Sequence, residues 1–324
     1  MIPKKFRLPI VVFILTFILL AIVQIKLERP LILAERFLKG AGWIEILLIS
    51  SYGAFVISKM QDPVNLPRWR KISWTIFSVV FFSQLIIGIS GFDKVLMTGK
   101  LHLPIPMMIL AGPIYRQQLS VMTILFISTI ILSGPAWCSQ LCYFGAFDNL
   151  ASGDKTSKDP LKYKGAIKTT LLLLVIALSL ILRWLNVSLT TSTLLAIAFG
   201  ITGILIIILF SAKKRKMIHC VMYCPIGTVV NILKPINPFR MIIDQSCTLC
   251  MQCTKFCKYD ALNANDIKNL KPSFTCTLCG DCLAGCSHNA IKYRFLNLEP
   301  ERSRNLYLVI TITLHAACIA LARI

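Results

Sequence analysis

Charge is scarce in this chain. Asp, Glu, Lys and Arg make up 15% of its 324 residues, against about 25% in soluble globular domains. Acidic residues are scarcer still, 14 against 35 Lys and Arg. An ordinary soluble enzyme of two or three domains is thereby excluded. Disorder is excluded as well, because it requires low hydrophobicity and few aromatics, and 56% of this chain is hydrophobic and 10% aromatic. Histidine is nearly absent. Of four, only His315 falls well inside an apolar run, whereas a membrane haem held by two histidines needs a pair, so cytochrome b chemistry is disfavoured. A secreted disulfide scaffold would be short and polar, so the 13 cysteines need another account.

What the chain has in abundance is apolar runs. Seven are read as spans: Leu8–Leu27, Trp43–Ser58, Ile72–Phe92, Leu119–Trp137, Ala166–Val187, Leu189–Ala212 and Leu306–Leu321. A spanning helix needs roughly 17–25 apolar residues, and the second and seventh runs are short by that measure. The first run is too long for a signal peptide, and no A-x-A site follows it. A net charge of +21 at a mean hydropathy of +0.71 points to basic cytoplasmic loops rather than to nucleic acid. With the N-terminus inside, the inner loops hold fifteen Lys and Arg, among them Lys213, Lys214, Arg215 and Lys216, against nine outside. That bias puts the C-terminus outside and residues 213–304 in the cytoplasm.

Residues 240–300 break the apolar pattern with Asp, Asn, Lys and Cys. A core this small needs a metal or disulfides to hold it. Two repeats stand out. Cys247-Thr248-Leu249-Cys250 recurs 29 residues later as Cys276-Thr277-Leu278-Cys279. Cys138, Cys142, Gly145 and Asn149 recur 82 residues later as Cys220, Cys224, Gly227 and Asn231, both copies reading C-x3-C-x2-G-x3-N at the inner end of a span.

Cys247, Cys250, Cys253 and Cys257 form C-x2-C-x2-C-x3-C, and Cys276, Cys279, Cys282 and Cys286 repeat it. This is the bacterial two-cluster ferredoxin run, whose fourth Cys serves the other cluster. One [4Fe–4S] cluster is therefore assigned to Cys247, Cys250, Cys253 and Cys286, the other to Cys276, Cys279, Cys282 and Cys257. Structural zinc is the competing reading of paired C-x2-C. The run normally ends in Cys-Pro, but here Lys258 and Ser287 follow.

In its order of motifs the chain resembles the NapH/NosR/CcoG-type membrane ferredoxins over roughly residues 72–295. These are helical membrane proteins with two C-x3-C-P motifs at the cytoplasmic face, followed by a two-cluster ferredoxin domain. Cys220 to Pro225 fits that motif fully, whereas Tyr143 follows Cys142 in the first copy. The sequence opens on a span and has no S/T-G-A-T covalent-flavin motif, so the extracytoplasmic flavin domain of NosR is not expected. The resemblance implies electron transfer between the quinol pool and a respiratory reductase or partner flavoprotein. A copper reductase, or a redox sensor or assembly factor, is the alternative.

Cys138, Cys142, Cys220 and Cys224 form a further redox or metal site, act as redox-active dithiols, or pack as small apolar residues. The basic run Lys213–Lys216 is expected to stabilise their thiolates. His219 and His288 flank cysteines and are candidate hydrogen-bond partners of sulfur, while Cys318 reads as packing. Glu45, near the outer end of the second span, and His102, in the Pro-rich segment Leu101–Gln118, are the candidate quinone-site residues.

The expected architecture is thus an all-α polytopic membrane domain of six to seven helices (residues 1–235), a small cytoplasmic α+β two-cluster ferredoxin domain (236–300) and a C-terminal membrane helix (301–324). The expected setting is the inner membrane, with the quinone pool and a redox protein as partners.

Overall fold

The computed structural model describes residues 4–27, 30–96, 103–154, 156 and 159–321. His102 lies outside the described residues. The main helices are α1 (Lys4–Lys26), α2 (Gly42–Met60), α3 (Leu66–Ile89), α4 (Met108–Arg116), α5 (Val121–Ser133), α6 (Tyr143–Ala151), α7 (Lys164–Trp184), α8 (Leu189–Ile206), α9 (Pro225–Leu233) and α10 (Pro300–Leu321). Strands β1 (Phe239–Ile243) and β2 (Ile291–Phe295) lie between α9 and α10.

Among the described residues, seven helices are long and apolar enough to cross a membrane: Phe6–Lys26, Gly42–Met60, Leu66–Ile89, Val121–Leu141, Lys164–Trp184, Leu189–Lys214 and Pro300–Leu321. They are consistent with a multi-pass membrane protein. Outward Leu173, Leu174 and Ile181 on α7 present an apolar surface that suits lipid. The helices α3 and α10 each begin six residues before their apolar runs, at Leu66 and Pro300. In α3, Pro67 occupies the first turn, where its missing N–H costs nothing. In α10, Pro300 does the same and Glu301 faces the positive end of the helix dipole. The Pro-rich segment forms only the nine-residue α4, with Pro113 inside it.

The chain divides into two compact units, residues 1–104 with 301–324, and residues 105–300. The sequence reading drew its boundaries at 235 and 300 by composition, a different criterion from packing. Composition marks the polar stretch, but it does not report that the last helix packs on the first ones. In the first unit, Leu308, Val309 and Ile312 of α10 join Val12, Val56 and Ile57 in one core. A Cβ on Gly53 would lie 3.2 Å from Val12 Cγ1 and 3.3 Å from Ala316 Cβ, so glycine there lets three helices close.

In the second unit, β1 and β2 pair antiparallel, Phe239 opposite Phe295 and Ile243 opposite Ile291. Phe239, Met241, Ile243, Ile291 and Tyr293 are buried, as period-2 alternation requires of a one-sided ribbon. The ribbon ties the two ends of the Cys-rich stretch together. Inside it, two 3₁₀ turns, Gln252–Phe256 and Asp281–Gly285, keep the 29-residue offset. They pack on each other so that a Cβ on Gly285 would fall on the ring of Phe256, the residue at the equivalent position.

Candidate metal centres

Each C-x2-C-x2-C loop turns through left-handed backbone at two places. Leu249 and Leu278 have φ of 57° and 56°, Met251 and Gly280 of 60° and 82°. A third pair follows the last cysteine, Asp260 at 53° and Asn289 at 51°. For residues other than glycine this conformation costs of order 1 kcal/mol or more and persists only where the surroundings dictate it. The loop wraps a point, and its sulfurs converge there. Cys247, Cys250, Cys253 and Cys286 line one pocket together with apolar Ile243, Ile267 and Ile291. Cys257, Cys276, Cys279 and Cys282 line a second beside Met241, Tyr259 and Leu262. Each set thus combines three sulfurs of one run with the fourth of the other. The Ala261 N–H donates to Cys257 Sγ at 3.2 Å and the Ala290 N–H to Cys286 Sγ at 3.3 Å.

These cavities fit a sulfur-ligated cluster. Burial, reinforced by neighbouring thiols, pushes Cys253 up to about 11 and raises Cys257 and Cys282 as well. A bound cation reverses that balance by holding the sulfurs as thiolates. Exposure is unequal: Cys250 reaches the surface, while Cys282 is buried. His288 lines the first cavity.

Lys258 and Ser287 stand where the run usually has proline. Lys258 is buried, and its Nζ donates to the Asn149 main-chain and side-chain oxygens, both at 3.1 Å. The Lys258 carbonyl accepts the Met217 N–H at 3.1 Å. The departure from Cys-Pro therefore anchors the Cys-rich domain to segments bearing both C-x3-C copies. Asp260 adds a second anchor, its carboxylate pairing with Lys164 at 2.9 Å and with Lys216. Burial opposes ionisation of Asp260, but the two lysines win and hold it below the ordinary carboxylate range.

The C-x3-C copies share one backbone design. Cys138 and Cys220 sit in π-turns, Trp137–Leu141 and His219–Tyr223. Wide turns of this kind recur at functional sites. Cys142 and Cys224 follow in extended conformation and cap the nine-residue helices α6 and α9. The Gly145 and Phe144 N–H groups favour the Cys142 thiolate, and those of Gly227 and Ile226 the Cys224 thiolate. A Cβ on Gly227 would come within 3.0 Å of the Cys220 carbonyl oxygen, which accounts for the glycine. Asp148 Oδ2 accepts the Cys220 N–H at 2.9 Å, so α6 of the first copy holds the π-turn of the second.

Each of Cys138, Cys142, Cys220 and Cys224 lies within electrostatic reach of the other three. Burial pushes Cys142 up to about 12 and raises Cys220 and Cys224. It pushes Asp148 up to about 6 and His219 down to about 4. The cation beside the sulfurs is Lys168 of α7, which is buried and faces Cys138, Cys224 and Cys220. This departs from the expectation for the run Lys213–Lys216, whose Lys216 is engaged by Asp260. Lys168 and Asp148 are the residues sequence reasoning missed. A lysine in the first turns of an apolar helix is the one signal that pointed to either. Asp148, His219 and Cys220 also offer three ligand atoms within 4.8 Å of one another.

The site adjoins the second cavity. The Tyr259 hydroxyl donates to the Cys138 carbonyl at 2.6 Å, and Ser139 to the Thr277 carbonyl at 3.3 Å. Both Tyr259 and Thr277 line that cavity. On its other side, His219 lies 5.6 Å from Tyr223, which stacks on Phe199 at 4.4 Å. Phe199 borders an apolar pocket among α4, α7 and α8. Glu45 belongs to the other unit, where its carboxylate accepts the Ala34 N–H at 2.7 Å.

No curated protein and no solved structure matches this chain. A family model described as a 4Fe-4S binding domain matches twice, over residues 118–159 and 196–237. The first segment contains Cys138 and Cys142, the second Cys220 and Cys224. The chain therefore carries a duplicated 4Fe–4S binding domain on an apolar helical framework, and its chemistry is iron–sulfur electron transfer.

Proposed function

We propose that the protein is a multi-pass inner-membrane electron carrier that takes electrons from the quinol pool and delivers them to a respiratory reductase or flavoprotein. The observation that carries this reading is the pair of four-cysteine cavities, which share one backbone design at a 29-residue offset. Cys247, Cys250, Cys253 and Cys286 hold one [4Fe–4S] cluster; Cys276, Cys279, Cys282 and Cys257 hold the other. Bound there, the clusters accept and release single electrons. Quinol gives up two electrons and two protons to become quinone, and two one-electron sites in series suit that stoichiometry. The chain's own groups set the conditions: N–H groups of Ala261 and Ala290 bond ligand sulfurs, and apolar walls exclude water. The Lys and Arg bias of the loops supports a cytoplasmic ferredoxin domain, as does the instability of such clusters in oxidising compartments.

The test is optical. Anaerobically purified protein is mixed with menaquinol, and cluster absorbance is followed. Bleaching at a rate that depends on quinol concentration is expected. If dithionite bleaches the clusters and menaquinol does not, the quinol assignment is wrong; stoichiometric zinc without iron overturns the cluster assignment itself.

A further inference from the structure

The apolar pocket among α4, α7 and α8 belongs to none of the cysteine sites. Exposed Leu178, Leu189 and Leu195 line it, so it opens on the surface that suits lipid, and an apolar occupant reaches it through the bilayer. A lipid chain needs only such walls. This pocket also offers polar groups. The Tyr115 and Ser179 hydroxyls in its wall donate to the carbonyls of Val187 and Val175, at 2.5 and 2.7 Å. The Ser192 Oγ, by contrast, is buried and has no hydrogen-bond partner among the described residues. A buried polar atom left unmet is the mark of a missing ligand or water. Ser192 closes the first turn of α8, where the helix dipole favours negative charge. Arg116 borders the pocket too, and its Nη2 lies 3.1 Å from where a Cβ on Gly112 would stand.

Phe199 forms the wall farther along α8. Its ring stacks on Tyr223 at 4.4 Å, and the Tyr223 hydroxyl donates to the Phe199 carbonyl at 3.0 Å. Tyr223 directly precedes Cys224, and both lie with Phe199 in the second segment matched by the 4Fe–4S model. Ser192, Ala196 and Phe199 follow at i, i+4 and i+7, so they share one face of α8, with about 10 Å of axis between the first and the last. We propose that this pocket is the quinol site, with the ring lying over Ala196 between the Ser192 hydroxyl and Phe199 and the tail leaving past Leu178 and Leu195. The inference rests on the reading of the protein as a quinol-oxidising carrier and locates the site of that reaction. Both quinol O–H bonds break and two C=O bonds form. The two electrons pass singly by way of Phe199 and Tyr223 to oxidised iron–sulfur centres of the chain. The two protons leave to water at the end of the pocket beside Arg116, which is exposed. The α8 dipole and the arginine stabilise the anion formed when the first proton departs.

The experiment uses the full chain, purified anaerobically in detergent, with menaquinol as reductant and a photoreactive azido-quinone as label. Ser192→Ala should raise the menaquinol concentration that half-saturates the rate of cluster bleaching by about three- to tenfold, the worth of one hydrogen bond. Ala196→Phe fills the pocket and should abolish saturable bleaching by menaquinol. Dithionite should bleach the clusters of both variants as it does those of the wild type, which separates loss of quinol binding from damage to the clusters. The azido-quinone should label peptides of α4, α7 or α8 in the wild type, and menaquinol should protect them.

If menaquinol bleaches the wild type and both variants with the same rate and half-saturation, the pocket is not the quinol site, and the carrier reading stands. Label confined to peptides of residues 1–104 or 301–324 has the same meaning. Protection of the pocket by added phospholipid and not by menaquinol assigns it to a lipid chain and overturns the proposal. A wild type that dithionite bleaches and menaquinol does not overturns the proposal together with the quinol reading. Should Ala196→Phe fail to fold, the Ser192→Ala kinetics and the labelled peptides of the wild type decide.

Discussion

Lys258 shows how one departure from a motif is absorbed. Where the ferredoxin run usually places a rigid proline, this chain places a buried cation with two oxygen partners on Asn149. Lys258→Met keeps the aliphatic stem and removes both bonds, so it should destabilise the second unit by about 2 kcal/mol. Thermal unfolding of the anaerobic protein checks this, and an unchanged transition would refute the anchoring role. At this scale the sequence was only partly legible. The eight cysteines announce themselves by spacing. Lys168 does not, because a lysine near the start of an apolar helix usually reaches for the interface, and its burial beside sulfur depends on which face the helix turns inward. Asp148 is hidden for the same reason: its role is to accept an N–H from a turn 72 residues away.

Among the elements, a short link between α7, the turn before α9 and the Cys-rich loops is built on charge. Asp260 pairs with Lys164 and Lys216 across that junction, and its side chain is 1% exposed. Asp260→Asn leaves two lysines without their anion and should cost about 3 kcal/mol at neutral pH. The pH dependence has a definite sign. Asp260 is held below its ordinary range, so its contribution is complete above roughly pH 4 and is lost as pH falls through the lowered value. The Asn variant should lack that acid limb, as protease sensitivity of the loops against pH would show. Both repeats that organise this unit were visible as offsets of 29 and 82 residues. The π-turns were not, because Trp137–Leu141 continues an apolar run and nothing in its residues distinguishes a wide turn from a regular one.

For the whole molecule, the Lys and Arg bias predicts an inside N-terminus and, with seven crossings, an outside C-terminus. A reporter fused after Ile324 should be active only outside the cytoplasm; activity inside would mean that α10 does not cross. Hydropathy located the seven helices well, since each is judged by its own residues. The division into units was not readable. It depends on α10 joining α1 and α2, a contact between the two ends of the chain that no local pattern encodes.

The meeting of Phe256 with Gly285 has a consequence for how such a chain can change. The two residues occupy equivalent places in the duplicated Cys-rich loops, and each fills or vacates the space of the other. Two phenylalanines would collide, and two glycines would leave a void that costs stability. The halves are thus no longer interchangeable copies. Drift on one side must be answered on the other, and a half-length ancestor pairing with itself could not have carried this contact in its present form.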